Sequence, residues 1–361
     1  MNPMPQTINE DVPRTSLTPS EEMANLFLTR RAAQGIYVIA QLGVPDLLKG
    51  RPKKVDALAK ESGTDERSLY RLIRALASFG IFSQSDEGLI SLTELGETLR
   101  SDSEDSVRPY VLMIMSDEFE GAYRDLIHTI KTGERAFDHV YGMTDWEYRA
   151  KHKESGTIFN LNMARYARRL AIMLLESYSF ADYNTIVDIG GGDGSLLIGI
   201  LNANPNLQGI VYDLPQTGEE AKTRISQAGL ASRCKFLEGD ALKSVPSGGD
   251  AYILSRVIHD WNDEKSIQIL KNCHGAMSPG GKILLLERVV PKTKKIERSE
   301  ELKTIFFSDL TMMVMNGGRE RSEDEFRTLF EVSGFRLTQV KPMPSGTNII
   351  EGVKSLKAVR L

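Results

Sequence analysis

The stretch Ile186-Val187-Asp188-Ile189-Gly190-Gly191-Gly192-Asp193-Gly194 decides how this chain folds. An apolar, strand-like run ends in a turn dense in glycine. The apolar Leu196-Leu197-Ile198-Gly199-Ile200-Leu201 that follows reads as a helix. Glycine is needed where backbone turns tightly or lies against a ligand with no Cβ between them. A strand–turn–helix of this kind cradles a nucleoside ligand at the carboxyl end of a parallel strand. The spacing Gly190-x-Gly192-x-Gly194 departs from the dinucleotide pattern GxGxxG, whose third glycine would fall at Ser195, and the sequence has no GxxxxGK[ST] loop for phosphates.

The next strand, Gly209-Ile210-Val211-Tyr212, ends in Asp213. An acid roughly 20 residues beyond the glycine turn can accept both hydroxyls of a ribose. A ligand with a ribose and no phosphate fits, and S-adenosylmethionine is the leading candidate. A turn that merely joins strand to helix is the plainer alternative, and the placement of Asp213 argues against it.

From Thr185 onward apolar strands alternate with helices, near 186–189, 209–212, 235–238, 250–255 and 282–287, with a late pair near 335–341 and 347–353. This alternation predicts a doubly wound, Rossmann-like α/β sheet, whose ligands sit beyond the carboxyl ends of the strands. Asp188, Asp213, Asp240, Ser255 to His259 and Glu287 all fall there.

Upstream, residues 20–100 read as helices followed by a short hairpin. An apolar stripe through Ile36 and Ile39 stops near Gly43, a second runs from Val55 to Gly63, and Thr64 is positioned to cap a third through Leu69, Leu72, Ile73 and Leu76. Ile81-Phe82-Ser83 and Leu89-Ile90-Ser91-Leu92 flank the turn Asp86-Glu87-Gly88. This is a winged-helix pattern, which raises DNA binding. The third helix carries Arg67, Arg71 and Arg74, but also a full apolar face amid acidic neighbours, whereas a recognition helix aims basic and amide groups at base edges. A scaffold for self-association, with solvated or ion-paired arginines, fits better. The expected organisation is a flexible N-terminus over 1–19, a winged-helix-like dimerisation domain over 20–104, a helical connecting and substrate-pocket segment over 105–180, and a cofactor-binding catalytic domain over 181–361.

Composition bounds the rest. Hydrophobic residues are 41% and charged residues 26% of 361, with a formal net charge of −4. These are the proportions of an ordinary soluble protein and not of a chain-wide nucleic-acid or membrane binder. Cys234 and Cys273 form no zinc spacing and no disulfide framework, so a cytoplasmic location and no metal are expected. No apolar run reaches membrane-spanning length, and the N-terminus lacks a signal-peptide pattern.

Chemistry concentrates after the third and fourth strands. Glu238-Gly239-Asp240 offers an acid able to accept an adenine amino group. Ala251-Tyr252-Ile253-Leu254 runs into Ser255-Arg256-Val257-Ile258-His259-Asp260-Trp261, placing His259 on the same rim as the glycine turn, with Trp261 available to pack on adenine. Histidine is the natural general base near neutral pH. Glu287 ends the fifth strand and Glu320 lies in Gly317-Gly318-Arg319-Glu320-Arg321. A carboxylate on one imidazole nitrogen fixes the tautomer and stabilises the imidazolium. Ion pairs with Arg288, Arg319 or Arg321 are the structural alternative for both acids.

At these residues the chain resembles the metal-independent small-molecule O-methyltransferases of the caffeate and hydroxyindole type. The matching segments are Val187 to Gly194, Tyr212-Asp213-Leu214-Pro215, Glu238-Gly239-Asp240, His259 to Glu264, Glu287-Arg288-Val289-Val290-Pro291 and Gly317 to Arg321, in the family's order and approximate spacing. The resemblance extends from about residue 20 onward, including the dimerisation segment. It implies that Asp188, Gly190, Gly192, Asp213, Asp240, Ala241, Ser255, Arg256 and Trp261 meet S-adenosylmethionine, leaving S-adenosylhomocysteine as product. It implies that His259 takes the acceptor's hydroxyl proton while Glu287 and Glu320 hold its ring. It further implies an acceptor pocket of Phe159, Met163, Asp309, Met312, Met313 and Asn316, a small hydroxylated aromatic or polyketide-like substrate, and a homodimer with no nucleic-acid or membrane partner. Two positions depart from the family: Ala241 stands where a bulky Phe or Met is common, and Ser255 where a Lys is common. A relative that keeps the cofactor for hydroxylation or decarboxylation, and a ligand-sensing winged-helix regulator, are the competing readings.

Overall fold

The computed structural model describes residues 17–292, 298–344 and 346–355. Most of the N-terminal segment expected to be flexible lies outside these residues. The chain divides into two compact units, Met1–Met115 and Ser116–Leu361.

In the first unit, α1 (Pro19–Gln41) starts at a capping box in which Thr18 and Glu21 satisfy each other's backbone N–H groups, with Pro19 in the first turn. The second stripe forms α2 (Val55–Ser62), which stops at Gly63 in the left-handed conformation. Helix α3 (Glu66–Ala77) is capped by Asp65, not by the expected Thr64, through Oδ1 on the Ser68 N–H at 2.8 Å. A carboxylate there also complements the positive end of the helix dipole. Strands β1 (Phe82–Gln84) and β2 (Ile90–Leu92) pair antiparallel as the hairpin, and α4 (Arg108–Ile114) follows. Ile39, Leu58, Leu69, Ile73, Leu76, Phe82 and Ile90 form the core of this winged-helix-like unit.

The second unit begins with helices α5 (Asp117–Arg124), α6 (Leu126–Thr132), α7 (Ala136–Tyr141), α8 (Asp145–Lys151) and α9 (Lys153–Ser177). Gly133 and Gly142 terminate α6 and α7 with φ of 75° and 66°. The predicted break near 133 and the loop near 142 are therefore single left-handed glycines. The segment expected to be helical over 105–180 spans the division between units, since α4 belongs to the first.

There follow β3 (Thr185–Ile189), α10 (Ser195–Ala203), β4 (Gln208–Asp213), α11 (Gly218–Gln227), β5 (Cys234–Glu238), β6 (Ala251–Ser255), α12 (Asp263–Ala276), β7 (Lys282–Glu287), β8 (Val289–Val290), α13 (Glu300–Met315), β9 (Arg321–Ser322), α14 (Glu323–Val332), β10 (Phe335–Pro342) and β11 (Asn348–Lys354). Seven strands form one sheet in the order β10-β11-β7-β6-β3-β4-β5. The run β7-β6-β3-β4-β5 is parallel, and β11 alone runs against its neighbours.

Alternation along the central strands builds both faces of the core. Ile186, Ala251, Ile253, Leu284 and Leu286 pack with Leu170, Leu174, Leu197 and Ile200 of α9 and α10. Val187, Ile189, Tyr252, Leu254, Ile283 and Leu285 pack with Ile269, Leu270, Phe326 and Phe330 of α12 and α14. Burial on both faces explains why these strands read as unbroken apolar runs. The chain leaves β3 toward β4 and β5, then returns to the other side of β3 at β6. The loops after β3 and β6 therefore meet at the point where strand order reverses, the usual ligand crevice of such sheets.

Candidate active site

The glycine turn after β3 is tied to the end of β4. The Gly190 N–H donates to the Tyr212 carbonyl at 2.8 Å. The Gly192 N–H donates to Oδ2 of Asp213 at 2.7 Å, and the Leu214 N–H to its Oδ1 at 2.6 Å. Gly190 has φ of 69°, and a Cβ on it would meet Val257 Cγ2 at 2.7 Å. Gly192, with φ of 56°, faces open space. Beneath them Asp188 is 1% exposed, and neither carboxylate oxygen has a hydrogen-bond partner. Burial, aided by the charges of Asp213 and Asp193, pushes its carboxyl up to about 8. An uncompensated acid of this kind suits a cationic ligand group.

The remaining rim residues occupy neighbouring strand ends. Asp240 Oδ1 accepts the Leu242 N–H at 2.9 Å, fixing the turn after β5. Ala241 packs at the edge of the α12-side core, and its carbonyl accepts from Asn272 Nδ2 at 2.8 Å. Ser255 closes β6. Arg256 is the one non-glycine residue with positive φ, 56°, among the described residues. Such a conformation costs on the order of 1–3 kcal/mol and clusters at functional sites. Its guanidinium lies 4.8 Å from the centre of the Tyr166 ring. Trp261 carries Lys265 Nζ 4.8 Å from its ring centre.

His259 sits on a single 3-10 turn, Ile258–Asp260, and is 3% exposed. Its Nδ1 lies 3.2 Å from Glu320 Oε1 and 3.5 Å from Glu287 Oε2. The two acids do different work. Glu287 Oε1 accepts the backbone N–H groups of Val257 at 3.0 Å and Ile258 at 2.9 Å, so it anchors the loop that carries the histidine. Glu320 Oε1 also accepts from Ser308 Oγ at 2.7 Å. Burial opposes ionisation of Glu320, but its hydrogen bonds from His259 and Ser308 hold it below the ordinary carboxylate range. Burial holds Glu287 above that range. Burial also opposes the imidazolium, yet the charges of Glu287 and Asp260 and the Glu320 hydrogen bond raise the affinity of His259 for its proton. The Nε2 atom is 3.5 Å from Asp260 Oδ1, beyond hydrogen-bond distance.

Other side chains complete the support, and the sequence reading did not give them that part. Arg321 is fully buried and donates to the Ile258 and Trp261 carbonyls at 2.9 and 2.7 Å, and to Asp263 Oδ1 at 2.9 Å. Arg319 pairs with Asp263 and Glu325. Neither arginine therefore pairs with Glu320, as the structural alternative had it. Arg288 Nη1 lies 3.9 Å from Glu320 but donates to Ser308 Oγ at 2.8 Å. Gly318 leaves no space for a side chain, because a Cβ would lie 1.9 Å from the His259 carbonyl oxygen. The signal for both was the GGRER stretch, whose spacing alone does not reveal what it clamps.

Of the residues expected to line an acceptor pocket, Asp309 Oδ1 accepts the Glu320 N–H at 2.8 Å, and Asn316 Nδ2 donates to Asp260 Oδ1 at 2.6 Å. Met312 is buried and Met313 half-buried on the same helix, α13. Phe159 lies under the Arg149 guanidinium, 4.0 Å from ring centre to carbon, and Met163 is half-buried one turn further along α9.

Comparison with known proteins defines the class. The O-methyltransferase domain family matches residues 123–336, and the O-methyltransferase dimerisation domain matches residues 24–102. The chain is 40% identical over 318 residues to the phenazine O-methyltransferase PhzM of Lysobacter antibioticus, covering 88% of this chain and 91% of that one. The structure of the mitomycin 7-O-methyltransferase MmcR superposes with a TM-score of 0.84 at 33% identity, covering 93% of this chain and 98% of that one. The O-methyltransferase NcsB1 from neocarzinostatin biosynthesis, solved with S-adenosyl-L-homocysteine and 1,4-dihydroxy-2-naphthoic acid, gives a TM-score of 0.74 at 29% identity, covering 90% and 96%. The chain belongs to the S-adenosylmethionine-dependent O-methyltransferase family of small-molecule secondary metabolism.

Proposed function

We propose that this enzyme methylates a hydroxyl of a small aromatic or polyketide-like metabolite, with His259 as general base. The observation that carries this reading is the pairing of His259 Nδ1 with Glu320, which leaves Nε2 as the proton-accepting atom. The tautomer follows from that network.

Asp188, Gly190, Gly192, Asp213, Asp240, Ala241, Ser255, Arg256 and Trp261 are the residues that would hold S-adenosylmethionine. The orphaned Asp188 carboxylate suits its ammonium group, and the open face of Gly192 admits close approach. When bound, this cofactor supplies an electrophilic methyl group on a sulfonium sulfur. Nε2 of His259 removes the acceptor hydroxyl proton as the oxygen becomes nucleophilic. Glu320 stabilises the imidazolium, and Glu287 and Arg321 hold the loop in place. Orientation of the acceptor can contribute up to about 7–11 kcal/mol, and the base about 10²–10⁴-fold in rate.

The proposed step keeps Nε2 of His259 for the acceptor's proton. Glu320 and Glu287, which with His259 could offer three ligand atoms, serve in it to orient the ring and to anchor its loop.

The acceptor class rests on the relatives, which act on a phenazine and a mitomycin or bind a dihydroxynaphthoate. Phe159, Met163, Asp309, Met312, Met313 and Asn316 are proposed to line the acceptor pocket. A homodimer is supported by the dimerisation-domain match and by Met23, Leu26 and Phe27 of α1, which are exposed in the single chain. No described helix is long and apolar enough to cross a membrane. The proposed setting is the cytoplasm, without a nucleic-acid or membrane partner.

The direct test incubates the enzyme with S-adenosylmethionine and a panel of hydroxylated bicyclic and tricyclic aromatics, read by mass spectrometry. A mass gain of one methylene, located on oxygen, is expected. Demethylated cofactor without methylated acceptor, or a hydroxylated product, would contradict the reading.

A further inference from the structure

Helices α6 and α7 form a hairpin whose outer edge brings together Asp125, His128 and His139. Nothing in the methyl-transfer chemistry uses them. Asp125 precedes α6, and His128 stands three residues later on the same helical face. Gly133 turns the chain back, and His139 arrives from the last turn of α7. The hairpin is fixed from within. The Ala136 N–H donates to Thr129 Oγ1 at 3.0 Å, and Ala136 and Phe137 pack against Val314 and Met315 of α13.

We propose that Asp125, His128 and His139, with Glu134 at the rim, form a site for a divalent zinc-type metal ion, separate from the catalytic centre. The donor set is two imidazoles and one or two carboxylates, which suits Zn²⁺ and its late first-row neighbours over Mg²⁺ or Ca²⁺. One ligand atom from each of the three lies within 4.8 Å of the others. His139 Nδ1 is already 2.6 Å from Asp125 Oδ2, and the two imidazoles stack with centres 3.8 Å apart and planes 6° from parallel. His128 Nε2 is buried with no hydrogen-bond partner, and Glu134 Oε2 lies 3.5 Å from it. Zinc–nitrogen bonds near 2.0–2.1 Å place tetrahedral ligand atoms about 3.3 Å apart. Closure around an ion turns the two imidazoles out of their parallel stack, which the exposed His139 and Glu134 permit. The ion would join α6 to α7 and stiffen the support beneath α13.

The test uses full-length protein stripped with a chelator, dialysed, and titrated with zinc chloride by calorimetry, with thermal unfolding in parallel. One zinc ion per chain and a raised melting temperature are expected. His139→Ala and Asp125→Asn should weaken uptake by at least about tenfold, with metal-free melting and methyl transfer unchanged for His139→Ala. Because His139 is more than half exposed, that variant is expected to fold. Absence of zinc uptake overturns the proposal. So does uptake unaffected by His139→Ala, or uptake lost only when His259 is replaced.

Discussion

The Nδ1 atom of His259 lies 3.2 Å from Oε1 of Glu320, and both side chains are shut off from solvent. This contact adds to the charges of Glu287 and Asp260 in raising the proton affinity of the proposed base. A general base acts when neutral, so turnover rises as pH rises through the histidine's pKa. That pKa is raised from its usual value, burial opposing and the surrounding acids prevailing, so the acid limb should lie above the ordinary imidazole range. Glu320→Gln removes one of those charges. The limb should move to lower pH, while the plateau kcat falls by about 1.5–3 kcal/mol of transition-state stabilisation. A pH–rate profile of both proteins checks the two effects together.

Gly318 lies against the carbonyl of that same histidine. Gly318→Ala must displace main chain, since its Cβ would sit 1.9 Å from the oxygen. A stability loss of about 1–3 kcal/mol, with a fall in kcat larger than the change in cofactor affinity, is expected. Urea unfolding and steady-state kinetics separate the two.

Asp188 makes a prediction about the ligand-free protein. Burial pushes its folded-state pKa from the ordinary carboxylate value of 3.8 up to about 8. Between those values the folded chain holds a proton that the unfolded chain has lost, so this group's contribution makes stability fall as pH rises from about 4 to about 8. Asp188→Asn should flatten that fall and raise the melting temperature near neutral pH, while weakening cofactor binding. Melting curves across that pH range provide the check.

Asp213 holds the Gly192 and Leu214 amides. Asp213→Ala therefore frees the glycine turn as well as removing the proposed ribose acceptor. Affinity for S-adenosylhomocysteine should drop by about 1–3 kcal/mol, with kcat at saturating cofactor less affected. Calorimetric titration with the by-product measures it.

The sheet was legible because its central strands are buried on both faces and alternate with helices, a pattern that needs no partner to be seen. Asp188 and Asp213 were legible because strand ends fix their register. The cap of α3 shifted from Thr64 to Asp65 because both residues can accept the N3 amide, and only backbone geometry chooses between them. Glu287 was expected to hold the imidazole, yet most of its hydrogen bonding goes to backbone amides 28 to 30 residues away. Backbone amides leave no trace in side-chain spacing. Arg321 read only as a possible ion-pair partner of Glu287 or Glu320, because its burial depends on α12 and the His259 loop folding over it. The metal-type cluster on α6 and α7 went unread, since its histidines fit no zinc spacing and meet only through the hairpin.

The central claim is that His259 moves the proton. Turnover of a hydroxylated aromatic acceptor by wild type and His259→Ala, at saturating S-adenosylmethionine, tests it most directly when S-adenosylhomocysteine affinity is measured on the same samples. The account predicts that kcat falls by about 10²–10⁴-fold with affinity for the by-product preserved. Near-wild-type turnover in the variant would contradict it.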